Sequence, residues 1–169
     1  GGASTYLDGI AAANRLKELD SKAFNTLRTT AGSYRCVDDE LGYHLEAHGT
    51  VIVVDEWDDN RVVGVRHNDL DRMGWLPPLS VLEGGDELVE EWYDEVERAM
   101  GIWDAVLEEK GRRLTIELEE GDCTLVDNGR VLHGRESFTL GVGGGRNIIG
   151  AYTCGDMLQS RWRGIFTES

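Results

Sequence analysis

The stretch Val126-Asp127-Asn128-Gly129-Arg130-Val131-Leu132-His133-Gly134-Arg135-Glu136-Ser137-Phe138 decides the reading of this chain. Asn128-Gly129 is a tight-turn signal between short apolar runs. A histidine then follows turn and strand, with glycine beside it, which suits an imidazole presented into a cavity. Residue chemistry alone favours a structural His133 over a metal ligand. Arg146 lies 13 residues further on, across the Gly141–Gly145 loop, at the start of another apolar run. A hairpin of that length can bring both side chains into one cavity, although a strand-end arginine reads equally well.

Upstream, the spacing predicts several short strands: Tyr34–Val37, Thr50–Val54, Arg61–His67, Leu114–Leu118 and Cys123–Val126. Arg146–Cys154 reads as a further strand, and Gly1–Gly9 as a loop or short strand. Helices are expected over Ile10–Leu19 and Lys22–Arg28, the second capped by Ser21. The longest helix spans Asp86–Lys110, with Leu88, Trp92, Val96, Ala99, Trp103 and Leu107 forming one apolar stripe. That stripe reads as core rather than as a cofactor box. A final helical turn or two falls over Asp156–Arg163. Short strands with one long helix predict a mainly β fold with helices: a double-stranded β-helix, or jelly roll, under a long covering helix.

The 169 residues suit a single domain spanning 1–169. The formal charge of −15 would repel phosphate backbones, so no nucleic-acid partner is expected. No apolar run approaches the roughly 20 residues of a membrane span. Cys36, Cys123 and Cys154 match no zinc spacing and read as reduced, mostly buried thiols of a reducing compartment, mitochondrial or cytoplasmic. The chain opens on Gly1-Gly2 without an initiator Met, as if cut from something longer.

The run DNGRVLHGRESF, followed by Arg146 and Gly150-Ala151-Tyr152, resembles the C-terminal part of the trimethyllysine and γ-butyrobetaine dioxygenase family. These are Fe(II)/2-oxoglutarate hydroxylases of carnitine biosynthesis, in the taurine-dioxygenase-like superfamily. The Gly1–Gly9 segment, Arg66–Arg72 and LTIELEEGD match other family segments in order and approximate separation. The resemblance implies iron binding by His133 and binding of the 2-oxoglutarate C5 carboxylate by Arg146, supported by Ser4. It places Tyr152 in a trimethylammonium pocket, where an aromatic face also suits a quaternary ammonium. Asn68 is implied at the substrate's polar end. Fe(II), 2-oxoglutarate as cosubstrate, ascorbate as reductant and a homodimer follow from the same resemblance.

A site of this type needs two histidines and a carboxylate. In the family the first histidine and the carboxylate form an H-x-D pair upstream of the Gly-Gly segment, so this chain is expected to be inactive alone. Two in-chain alternatives stay open: His67 with Asp69, 66 residues before His133, and the looser His44 with Glu46.

Overall fold

The computed structural model describes residues 2–40, 42–139 and 148–166. They fall into two compact units, 1–138 and 139–169. Among the described residues, the first carries all the strands and four helices. The second carries one helix, α5 (Gly155–Phe166), preceded by a segment without regular structure at 148–154.

β1 (Ser4–Asp8) runs into α1 (Gly9–Leu19), and the Asp8 carboxylate caps that helix by accepting from Ile10 N and Ala11 N at 3.1 Å each. Gly9 is required at the join. A Cβ there would run into Val65 and come within 2.8 Å of the Arg130 carbonyl. α2 (Ser21–Thr29) is capped by Asp20, which accepts from Ala23 N at 2.8 Å, rather than by Ser21.

Three antiparallel sheets follow. β2 (Ala31–Asp38) pairs with β3 (Tyr43–Thr50) and β6 (Arg72–Leu76), in the order β3-β2-β6. β4 (Ile52–Val54) pairs with β5 (Val62–Val65). β1 lies between β7 (Arg113–Ile116) and β8 (Val131–Arg135). A short helix α3 (Leu79–Leu82) precedes α4 (Asp86–Leu107).

The core lies where α1, α2 and α4 meet β1, β4 and β5. Leu16, Leu27, Val51, Ile52, Trp103 and Val106 are buried there. The α4 stripe therefore holds from Val96 to Leu107, while Leu88 is 41% exposed. The core reading of the stripe stands for that C-terminal half.

The structure corrects several sequence expectations. Residues 123–126 form no strand, so the tight turn read at Asn128-Gly129, which is present, closes no hairpin with them. Instead the Asp127 carboxylate accepts from Gly129 N, and its carbonyl accepts from Arg130 N and Val131 N, which folds a side-chain-capped turn into β8. Residues 148–154 are not a strand either. Among the cysteines, Cys36 is half-buried, and Cys123 and Cys154 are exposed. None is fully buried, because each sits outside the apolar layer.

The sheets are antiparallel and alternate with helices along the chain, which is consistent with the taurine-dioxygenase-like expectation. Among the described residues, no helix is long and apolar enough to cross a membrane.

Candidate functional site

His133 sits in the middle of β8, directly opposite Tyr6 of β1, and Ser4 pairs with Arg135 along the same ladder. Side chains alternate along a strand, so Ser4, Tyr6, His133 and Arg135 all project from one face of the sheet. The opposite face carries Leu7, which is buried in the core, and Leu132, packed against it. The folding logic is simple: the apolar positions of β1 and β8 turn towards the helices, and the register then sets His133 and Ser4 on the other side.

Two further contacts hold this register. Glu136 N donates to the Ala3 carbonyl at 2.9 Å, and Arg135 Nε donates to the Gly2 carbonyl at 3.2 Å. The Arg135 guanidinium also lies 4.1 Å from the Phe138 ring centroid. Gly2, at φ 86°, adopts a backbone conformation that favours glycine.

Beside His133 opens a cavity of about 270 Å³, slightly below the ~300 Å³ lower bound of common small-molecule pockets. His67, Glu108 and Arg113 share its lining with Tyr6, His133 and Arg135. Arg113 Nη2 reaches Glu108 Oε1 at 2.6 Å, so the acid at the rim is already paired. On the adjoining turn of α4, burial pushes the Asp104 carboxyl above its ordinary range, and His67 and Arg72 pull it back.

Neither in-chain alternative completes a metal site. Among the described residues, no group of three His, Cys, Asp or Glu side chains is placed to hold a metal ion. His67 lines the same cavity as His133, but its Nδ1 accepts the Trp103 indole N–H at 3.3 Å. A metal at Nε2 would put the ring proton on Nδ1, facing that indole donor. Asp69 Oδ1 is held by Arg72 at 2.8 Å. His44 and Glu46 lie on β3, where His44 Nε2 comes 3.6 Å from Asp39 and Glu46 faces Arg35. His133, the ligand that the resemblance implies, is thus joined by no second and third ligand among the described residues.

Asn68 is exposed outside the cavity lining. Its amide donates to Asp71 Oδ2 at 2.6 Å and its carbonyl oxygen accepts from Leu70 N at 3.1 Å, so both ends are engaged within one turn. Arg146 lies outside the described residues. Tyr152 belongs to the second unit, in the segment without regular structure. Sequence reasoning missed Tyr6, Arg113 and Trp103 as neighbours of the site. Tyr6 had a usable signal, lying two residues from Ser4 on the same strand face; the other two are placed there only by the fold.

A model of the family "Taurine catabolism dioxygenase TauD, TfdA family" matches residues 1–152. Trimethyllysine dioxygenase of Neurospora crassa is 33% identical over 166 residues, covering 96% of this chain and 32% of the relative. Gamma-butyrobetaine dioxygenase of Homo sapiens is 26% identical over 164 residues, covering 96% of this chain and 39% of the relative. The mitochondrial trimethyllysine dioxygenase of Gallus gallus is 27% identical over 160 residues, covering 92% and 34%. The chain spans about a third of the length of the curated relatives it matches. With a family match running from the Gly-Gly segment through His133 to Tyr152, this chain belongs to the TauD/TfdA dioxygenase family.

Proposed function

We propose that the chain forms part of an Fe(II)/2-oxoglutarate-dependent hydroxylase acting on a trimethylammonium substrate in carnitine biosynthesis, with Nε-trimethyllysine 3-hydroxylation as its reaction. The observation that carries this reading is the 33% identity over 166 residues to trimethyllysine dioxygenase. The shared strand face of Ser4 and His133 supports it, since a cosubstrate side chain and an iron ligand must face one space.

In this reading His133 ligates iron and Arg146 takes the distal carboxylate of 2-oxoglutarate with a bidentate fork, aided by Ser4. Tyr152 faces the trimethylammonium group and Asn68 serves the substrate's polar end. The bound metal and cosubstrate supply the oxidising power for the C–H hydroxylation. The protein's part is binding, orientation and exclusion of water. Completion of the iron site falls to a histidine and a carboxylate beyond the described set, and the full barrel is a jelly roll. Ascorbate as reductant, a homodimer and a mitochondrial or cytoplasmic setting belong to the same proposal, as does inactivity of this 169-residue piece alone.

The test is succinate release with Fe(II) and 2-oxoglutarate from the natural protein that contains this sequence, across Nε-trimethyllysine, γ-butyrobetaine and taurine. Release with Nε-trimethyllysine foremost is expected. Turnover confined to a substrate without a trimethylammonium group would sink the reading.

A further inference from the structure

Trp103 of α4 is fully buried, and an indole N–H can only donate. Its bond to His67 Nδ1 at 3.3 Å makes that nitrogen an acceptor, so the neutral ring carries its proton on Nε2. Nε2 lies 4.0 Å from Asp69 Oδ2, beyond hydrogen-bond reach. Among the described residues, no acceptor receives this N–H. His67 nevertheless lines the cavity beside His133. Around it stand Arg113 and Arg135, while the carboxylate of Glu108 is paired with Arg113. The lining carboxylate and Arg113 are thus engaged with each other, and the His67 Nε2–H stands at the cavity wall as a donor without an acceptor among the described residues, Asp69 Oδ2 lying 4.0 Å away.

We propose that His67 is a specificity-determining residue, held by Trp103 so that its Nε2–H donates to a carboxylate of the small molecule bound in this cavity. The inference rests on the functional reading above for the nature of that molecule, an organic acid. It moves recognition of a carboxylate from Asn68, whose amide is closed into its own turn, to the neighbouring residue. The carboxylate can come from 2-oxoglutarate or from the trimethylammonium amino acid, and the two are separable by titration.

Nitrogen-detected NMR of the full chain is expected to show His67 with a bare Nδ1 and a protonated Nε2. Trp103→Phe should release that preference. Calorimetric titrations with Mn(II) present would use 2-oxoglutarate, Nε-trimethyllysine and the corresponding amine lacking the carboxylate. His67→Ala should weaken one of the two acids about tenfold, the scale of a lost charge-assisted hydrogen bond, and leave the amine unchanged. The acid affected identifies the source. His67→Gln, which keeps an N–H donor, should recover part of the loss. Equal affinities of wild type and His67→Ala for both acids, a proton on Nδ1 in the wild type, or no acid binding to the wild type would each overturn the inference. Succinate release by the natural protein that contains this sequence decides the hydroxylase reading separately, whichever way these titrations fall.

Discussion

The Asp8 carboxylate lies 2.7 Å from Arg130 Nη2, joining the end of β1 to the turn that launches β8. Gly9 N also donates to the Arg130 carbonyl at 2.9 Å, and Val65 N to the Gly129 carbonyl at 2.8 Å. Two segments more than 120 positions apart in sequence are thereby locked in register, which sets His133 against Tyr6. The Arg130 guanidinium first, then the N–H groups of Ala11 and Ile10, hold the Asp8 carboxyl below its usual range against the opposing effect of burial. A depressed carboxylate stabilises the fold above its unfolded pKa of about 3.9, and that contribution disappears as pH falls through the folded value. Asp8→Ala should cost about 1 kcal/mol through the lost helix cap, measured by urea denaturation at neutral pH, and should flatten stability at acid pH. Arg130→Ala keeps the cap and should cost less. An equal or greater loss in Arg130→Ala would show that the cap is not the main contribution.

The same junction tests the need for glycine. Gly9→Ala must displace Val65 or the Arg130 carbonyl, and overpacking of this kind costs roughly 1–3 kcal/mol. Gly101 is the control. It lies in the middle of α4, its φ is not positive, and nothing lies within 4 Å of an added Cβ. Gly101→Ala should raise stability by roughly 0.5–1 kcal/mol through helix propensity. Thermal melts of the two variants should move in opposite directions; movement in the same direction would contradict the local packing described.

What the sequence made legible follows where apolar periodicity is strong. The stripe of α4 from Val96 to Leu107 announces itself, and so do α1 and α2. β3, with the sequence YHLEAHGT, did not, because it is an edge strand with mostly exposed side chains and no alternating apolar face. β6 was equally silent: it is fixed by pairing with β2 rather than by its own pattern. The supposed strand at 123–126 carries the apolar run Leu125-Val126, yet Leu125 is 92% exposed and pairs with no strand among the described residues. His133 and Ser4, picked out through the family resemblance, project from one face of the β1–β8 ladder. The H-x-D spacing of His67 and Asp69, weighed only as an alternative to an upstream pair, could not reveal that a buried tryptophan 36 residues later takes up one imidazole nitrogen.

Arg135 offers a test of how β8 holds the Gly-Gly segment. Its Nε bond to the Gly2 carbonyl and its stack on Phe138 act together. Arg135→Ala should cost roughly 1 kcal/mol, within the range for one hydrogen bond with a charged donor that is only part-buried. Amide exchange should accelerate first at Ala3–Thr5, where the strand is no longer held. Arg135→Lys keeps the charge but loses the planar stack, so it should recover only part of the loss. Full recovery by lysine would mean that charge alone matters.

Arg98 of α4 bridges two carboxylates that join α2 to α4. Nη1 lies 2.7 Å from Asp20, the N-cap of α2, and Nη2 lies 2.9 Å from Glu95. The Arg98 hydrogen bonds are the foremost reason that Asp20 and Glu95 are each lowered to about 2. Lys22 adds a second partner for Glu95 at 2.6 Å. Both shifts are downward, so the stability they carry is complete above pH ~4 and fades as pH falls towards 2. In Arg98→Ala the Asp20 carboxyl should titrate closer to 3.9, and Glu95 should rise less because Lys22 remains. Side-chain carboxyl NMR titration of wild type and variant measures both groups directly. Unchanged titration of Asp20 in the variant would assign its shift to the Ala23 N–H and the helix cap instead of to Arg98.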